Sequence, residues 1–111
     1  MKPIIDKAEV SIDFPDKAYL GTFSRNSMFD VTCDAERVRL RLSHPGADHR
    51  TAEIYLHYYL LADILGALSQ SLDGIMPIDE AHLSELQSAV RNLEKTLEQR
   101  RTAGTKNRSK G

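Results

Sequence analysis

Three side chains near the middle of the chain have a spacing that metal sites use on helices. His49, Glu53 and His57 follow one another at intervals of four residues, so on an α-helix they would lie along one face. Imidazole and carboxylate groups in such a stack can bind zinc or another divalent ion. The spacing matches no standard zinc motif, and a solvated polar strip is the favoured interpretation. A small metal- or ligand-binding protein is therefore one alternative, and no cofactor is predicted.

Arginines at alternating positions form a second group that could bind a ligand. On a β-strand they would project from one face about 6–7 Å apart, a spacing that could follow a phosphate backbone. Residues 99–111 add five basic residues and no acidic one, whereas residues 1–98 are acidic overall. Because phosphate binding needs a cationic surface, a nucleic-acid-associated regulator is an alternative and not the main prediction. Its candidate contacts are Arg37, Arg39, Arg41, Arg100 and Arg101.

No residue pattern indicates catalysis. Cys33 is the only cysteine, and no histidine is tied to it by spacing. The chain has no G-x-S-x-G motif, no glycine-rich phosphate loop and no CxxC pair. The most apolar stretch, 52–68, is interrupted by His57 and Asp63, which argues against a membrane span. We therefore expect a non-enzymatic, cytoplasmic protein without a targeting segment.

The elements that must position these groups begin with β-strands. Between residues 9 and 43, four short runs alternate apolar and polar residues, with turn signals between them; this predicts an antiparallel meander of four strands. A turn at Ala35-Glu36 makes paired residue numbers sum to 71. Apolar residues then oppose apolar ones, and Asp30 and Asp34 oppose Arg41 and Arg37. This register favours a solvated, cross-paired arginine face.

The second half of the chain reads as two helices. Apolar residues from Ile54 to Leu72 step by four and three, which predicts a helix over 49–72. Asp79 is a good N-cap for a second helix over 79–101, whose single heptad seam runs from Leu83 to Leu97. Residues 102–111 are predicted to be a disordered basic tail. The fold class is therefore α+β, with one domain over 1–101 and two antiparallel helices packed on one face of the sheet.

The first helix carries more apolar surface than one chain can cover. Besides its main face it has a second one, and the second helix offers only a narrow seam. Exposed leucine and tyrosine side chains are costly in water, so a second copy of the chain or another protein should cover them. The main functional prediction is a protein–protein interaction or regulatory module, acting as a small homodimer. The predicted interface residues are Tyr55, Leu56, Tyr59, Leu60 and Ile64.

Overall fold

In the part of the chain that it describes, a computed structural model contains six strands followed by two helices. The backbone is described for residues 1–74 and 78–110, and the side chains as far as residue 102 except 75–77. The chain divides into two compact units, Met1–Asp73 and Gly74–Gly111. The elements are β1 (Lys2–Pro3), β2 (Ala8–Phe14), β3 (Lys17–Phe23), β4 (Met28–Cys33), β5 (Arg37–His44), β6 (Arg50–His57), α1 (Tyr58–Asp73) and α2 (Glu80–Lys110).

The main sheet has four antiparallel strands in the order β1-β4-β5-β6. The predicted hairpin between β4 and β5 is confirmed in register, because Val31 lies opposite Leu40 and Phe29 lies opposite Leu42. Alternation puts these apolar side chains on one face and Asp30, Arg39 and their neighbours on the other. The α+β class, the four-stranded antiparallel sheet and the two helices are thus as predicted from the sequence.

The strands that make up this sheet differ from the predicted meander. β2 and β3 form a separate two-stranded hairpin, with Ile12 opposite Tyr19, and the short β1 pairs with the start of β4 instead. The turn after β3 redirects the chain: the Ser27 amide donates to the Ser24 carbonyl at 2.8 Å. β4 therefore does not continue the hairpin, and the meander prediction is wrong in its connection between β3 and β4.

The predicted helix start at residue 49 is also wrong. Residues Arg50–His57 form β6, which pairs with β5 along its whole length, from Arg37 opposite His57 to His44 opposite Arg50. Gly46 provides the positive φ of 101° in the connection between the two strands, a conformation that glycine adopts without steric cost. Pairing with an apolar and arginine-rich neighbour outweighs the helical spacing of Ile54, Tyr58 and Leu61.

Both helices are present with altered bounds. α1 begins at Tyr58 rather than at residue 49. The predicted N-cap of α2 is confirmed, because the Asp79 carboxylate accepts from the His82 amide at 3.1 Å. α2 extends to Lys110, so the predicted tail 102–111 falls largely on this helix, and its side chains from 103 lie outside the described residues. The predicted single domain and the packing of the helices on the sheet stay predictions.

The hydrophobic core is small. Among the described residues, the buried apolar side chains are Phe23, with 2% of its surface exposed, and Leu42, with 9%. The polar Ser27, in the turn after β3, is also buried, with 1% of its surface exposed. Residues that alternation assigns to an apolar face, such as Val31 and Ile12, remain largely exposed. The strands therefore align apolar side chains on one face but leave many of them exposed to solvent.

Candidate functional site

The predicted arginine face is a charge-balanced cluster. A terminal nitrogen of Arg39 lies 3.2 Å from an Asp30 carboxylate oxygen and the other lies 3.6 Å from Glu53. Arg41 Nε lies 3.8 Å from the same Glu53 oxygen. The sequence pairs Asp30 with Arg41, and the register does place them opposite each other, but the ion pairs run diagonally through Arg39. The acids on both neighbouring strands thus neutralise the arginines of β5.

Arg37, at the end of β5, is held differently. Its guanidinium carbon lies 4.3 Å from the centre of the Tyr55 ring, a cation–π contact, and its Nε lies 3.5 Å from the Asp34 carboxylate. The Asp34 carboxylate also accepts from the Glu36 and Arg37 amides at 2.8 and 2.9 Å. These two backbone hydrogen bonds, more than the arginine charge, lower the pKa of Asp34. All three arginines of β5 therefore have acidic partners.

The remaining candidates for nucleic-acid contact, Arg100 and Arg101, lie on α2 in the other compact unit. A phosphate-binding surface requires an excess of positive charge. On β5 that excess is absent, since Asp30, Asp34 and Glu53 match the three arginines. The geometry favours the cross-paired interpretation of this face.

The candidate metal ligands do not form a stack. Glu53 and His57 lie four residues apart on β6, a separation of about 13 Å along a strand, and His49 precedes the strand. Glu53 is also occupied by Arg39 and Arg41. Within the described residues no group of three or more His, Cys, Asp or Glu side chains could hold a metal ion. The prediction depended on helical spacing, which the chain does not adopt here.

The predicted interface residues are divided between a strand and a helix. Tyr55 and Leu56 lie on opposite faces of β6: Tyr55 is opposite Arg39, and Leu56 is opposite Val38. Tyr59, Leu60 and Ile64 lie on α1. The five residues therefore do not share one helical face, and only the three on α1 keep the arrangement on which the prediction depends.

α1 presents an extensive apolar surface. None of its 16 residues is buried, and Tyr59 is 93% exposed. One stripe follows the heptad spacing, and Leu60 and Ile64 form a second stripe about 100° away. We call these residues the α1 surface; its large members are Tyr58, Tyr59, Leu60, Leu61, Ile64, Leu65, Leu68 and Leu72. A soluble protein seldom leaves so continuous an apolar patch in water.

The start of α1 is fixed to the sheet by Tyr58. Its hydroxyl donates to the Asp34 carbonyl oxygen at 2.7 Å, across the turn between β4 and β5. Removal of water from the hydroxyl, together with the neighbouring Cys33 thiol and Asp34 carboxylate, raises the pKa of Tyr58. The tyrosine therefore stays a neutral hydrogen-bond donor throughout the physiological range. Cys33 itself is exposed, whereas alternation alone suggests a buried position.

A groove of about 340 Å³ lies between the β2–β3 hairpin and the start of β6. Its walls are largely apolar, and Arg50 stands at one end with its guanidinium carbon 5.3 Å from the centre of the Phe23 ring. Arg50 also donates to the Thr22 carbonyl oxygen. These contacts fix the hairpin to the main sheet. The lining side chains include Val10, Ile12, Phe14, Tyr19, Phe23 and Arg50.

One polar pair was not identified from the sequence. The buried Ser27 hydroxyl lies 2.9 Å from His44 Nδ1, and it also accepts from the Ser24 amide at 3.3 Å. Seventeen residues separate the two partners, so no local spacing signals their contact. With Ser27 only 1% exposed, the pair is suited to holding the turn after β3 against the end of β5 rather than to reacting with a substrate.

Comparisons with protein-family models, curated proteins and solved structures find no match for this chain. No helix in the described part of the chain is both long enough and apolar enough to cross a membrane.

Proposed function

We propose that this chain is a protein–protein interaction or regulatory module that acts as a homodimer through the α1 surface. The observation that carries the proposal is that a 16-residue helix has no buried residue, although half of its side chains are large and apolar. Full burial of a leucine or isoleucine is worth about 1.5–3 kcal/mol. Covering the exposed half of several such side chains therefore supplies a substantial driving force for association.

A second copy is the simplest partner for such a surface. Most soluble oligomers are symmetric homo-oligomers, and two-fold dimers are the commonest among them. Two copies of α1 would place the same apolar stripes against each other. α1 contains Asp63 and Asp73 as its only charged residues, so apolar contact, with few charges to desolvate, would dominate the interface.

Light scattering during size-exclusion chromatography tests the proposal. The wild-type protein should elute with twice the chain mass of 12.5 kDa. Tyr59→Glu should reduce the dimer, because Tyr59 is 93% exposed and its replacement places a charge in the interface without disturbing a core. Leu20→Glu is the matched control, since Leu20 is 82% exposed on β3. A folded wild-type protein that elutes as a monomer would refute the homodimer.

A further inference from the structure

The outer edge of β6 is an unprotected sheet edge. All eight residues of β6 pair inward with β5, and none of the strands that the structure describes pairs with its other side. An edge strand exposes a row of backbone N–H and C=O groups that can accept another strand. The outer side of β6 therefore has no paired strand, although the β2–β3 hairpin lies close to its first residues, where Arg50 donates to the Thr22 carbonyl oxygen.

The opposite edge of the sheet differs in a way that is informative. There β1 covers the start of β4, and β1 consists of Lys2 and Pro3, which are residue types that discourage further pairing at an edge. β6 contains neither lysine nor proline, and it has no glycine. Its central charge, Glu53, is bound by Arg39 and Arg41 of β5. β1 thus covers Met28 and Phe29 at the start of β4, whereas none of the described strands covers any residue on the outer side of β6.

β6 is complementary to itself when two copies run antiparallel. Directly opposed residues lie on the same face of a sheet, so each register has a central residue that faces its own copy. With Ile54 at the centre, Ala52 faces the partner's Leu56, and Glu53 faces the partner's Tyr55. This register uses residues 51–57. It matches apolar with apolar residues on one face, and on the other face it places Glu53 opposite a tyrosine and Thr51 opposite a histidine, without like charges.

The neighbouring registers are worse. With Glu53 at the centre, the glutamate faces the partner's Glu53, and Arg50 faces the partner's Leu56; like charges directly opposite each other are destabilising. With Tyr55 at the centre, pairing is limited to residues 53–57, because α1 begins at Tyr58. The Ile54 register is therefore the longest one that brings no like charges together.

The direction in which α1 leaves the strand is compatible with this pairing. The Tyr58 hydroxyl reaches the Asp34 carbonyl oxygen, which lies on the β4 side of β5. The first residue of α1 is thus tied toward the interior of the sheet, away from the outer edge of β6. Ile54, which is 44% exposed, lies at that edge beside Leu40.

We propose that the outer edge of β6 pairs with the same edge of a second copy, antiparallel and centred on Ile54, to form a continuous sheet of eight strands. This inference rests on the proposed homodimer and names its sheet contact. Strand pairing fixes which residues of the two copies lie opposite each other, whereas apolar contact between the two α1 surfaces does not by itself fix their relative orientation.

Residue-resolved hydrogen exchange on the wild-type protein tests the pairing without any substitution. Alternate amides of β6 point toward β5, and the intervening amides point outward. At a concentration where light scattering gives a dimer, the outward amides should exchange at least about tenfold more slowly than in an unpaired edge strand. A dimer in which these amides exchange rapidly would overturn the proposal and leave the proposed function standing.

A disulfide test locates the register. In a Cys33→Ser background, Ile54→Cys places two thiols on directly opposed residues, whose Cα atoms lie about 4.5–5.5 Å apart, within disulfide range. Val31→Cys is the matched control, because Val31 lies on the other side of Leu40 and is 52% exposed. Mild oxidation should link the Ile54→Cys protein alone. A dimer linked by neither variant, by both equally or by Val31→Cys alone would refute this register, whereas a monomer would refute the proposed function as well.

Discussion

At the scale of single residues, acids in this protein act by fixing backbone and arginine groups. Asp34 accepts from two amides in the turn between β4 and β5, and Asp79 accepts from the His82 amide at the start of α2. Asp30 and Glu53 hold the arginines of β5. None of these carboxylates is left free to serve as a metal ligand or general base without losing a structural contact.

Acid should weaken the fold through Asp34 and Asp79. Hydrogen bonds from backbone amides lower the pKa of Asp34 and of Asp79 below 3.8. A lowered pKa in the folded state means that the stabilisation is complete above the unfolded value of about 3.9 and is lost as pH falls through the folded value. Urea denaturation should therefore show a loss of stability below about pH 4 that is smaller in Asp34→Asn. Identical pH profiles for the two proteins would contradict this role of Asp34.

At the scale of elements, the sequence predicts strand pairing best where the residues of both strands restrict the register. From Phe29 to Cys33, every residue of β4 matches its opposed residue of β5 in kind, so one register satisfies this part of the hairpin. β6 could not be predicted in this way, because its apolar residues fit both the helical and the strand period. Ile54, Tyr58 and Leu61 step like a helix, whereas Ala52, Ile54 and Leu56 alternate like a strand. Residues 50–57 form a strand because they pair with β5 and bring Glu53 to the arginines of that strand. These contacts depend on tertiary folding, so no local sequence pattern predicts them.

The candidate site could be predicted where it lies on α1 and could not where it depends on strand pairing or tertiary contacts. The apolar surplus on residues 59–64 follows from helical spacing alone, since α1 does form there. Two predictions depended on a helix that begins near residue 49. They are the metal stack of His49, Glu53 and His57 and the inclusion of Tyr55 and Leu56 in a helical interface. The contact between Ser27 and His44 depends on tertiary folding, and it could not be read from either residue type.

The centre of the main sheet should tolerate charge far less than its edge. Leu40 lies on β5 between Val31 and Ile54, so Leu40→Asp would place an unpaired carboxylate among apolar side chains. Leu40 is half-buried, and a carboxylate there would lose water without gaining a hydrogen-bond partner, so this variant should not fold stably. Val31→Asp should cost about 1 kcal/mol, because Val31 is already half exposed. Urea denaturation compares the two, and a stably folded Leu40→Asp protein would contradict the face assignment.

At the scale of the whole molecule, folding and association should be coupled. Phe23 and Leu42 are the buried apolar side chains among the described residues, while many large hydrophobic side chains stay exposed. Ordering each residue costs about 1–2 kcal/mol of conformational entropy. So small a core offsets little of this cost, and in the proposed homodimer the second copy would add stabilisation by covering the α1 surface. This is the situation of obligate dimers, whose stability depends on protomer concentration.

Thermal unfolding should therefore depend on protein concentration. For a dimer that unfolds to two separate chains, each tenfold increase in concentration favours the folded state by about 1.4 kcal/mol. With an unfolding enthalpy of about 0.7 kcal/mol per residue, this raises the Tm by about 3 °C for each tenfold increase. Circular dichroism at several concentrations measures the shift. Leu20→Glu should keep the dependence and Tyr59→Glu should weaken it, because only the second substitution lies on the α1 surface. A wild-type Tm that stays constant over a hundredfold range of concentration, about 6 °C being expected, would show that the chain folds without a partner copy.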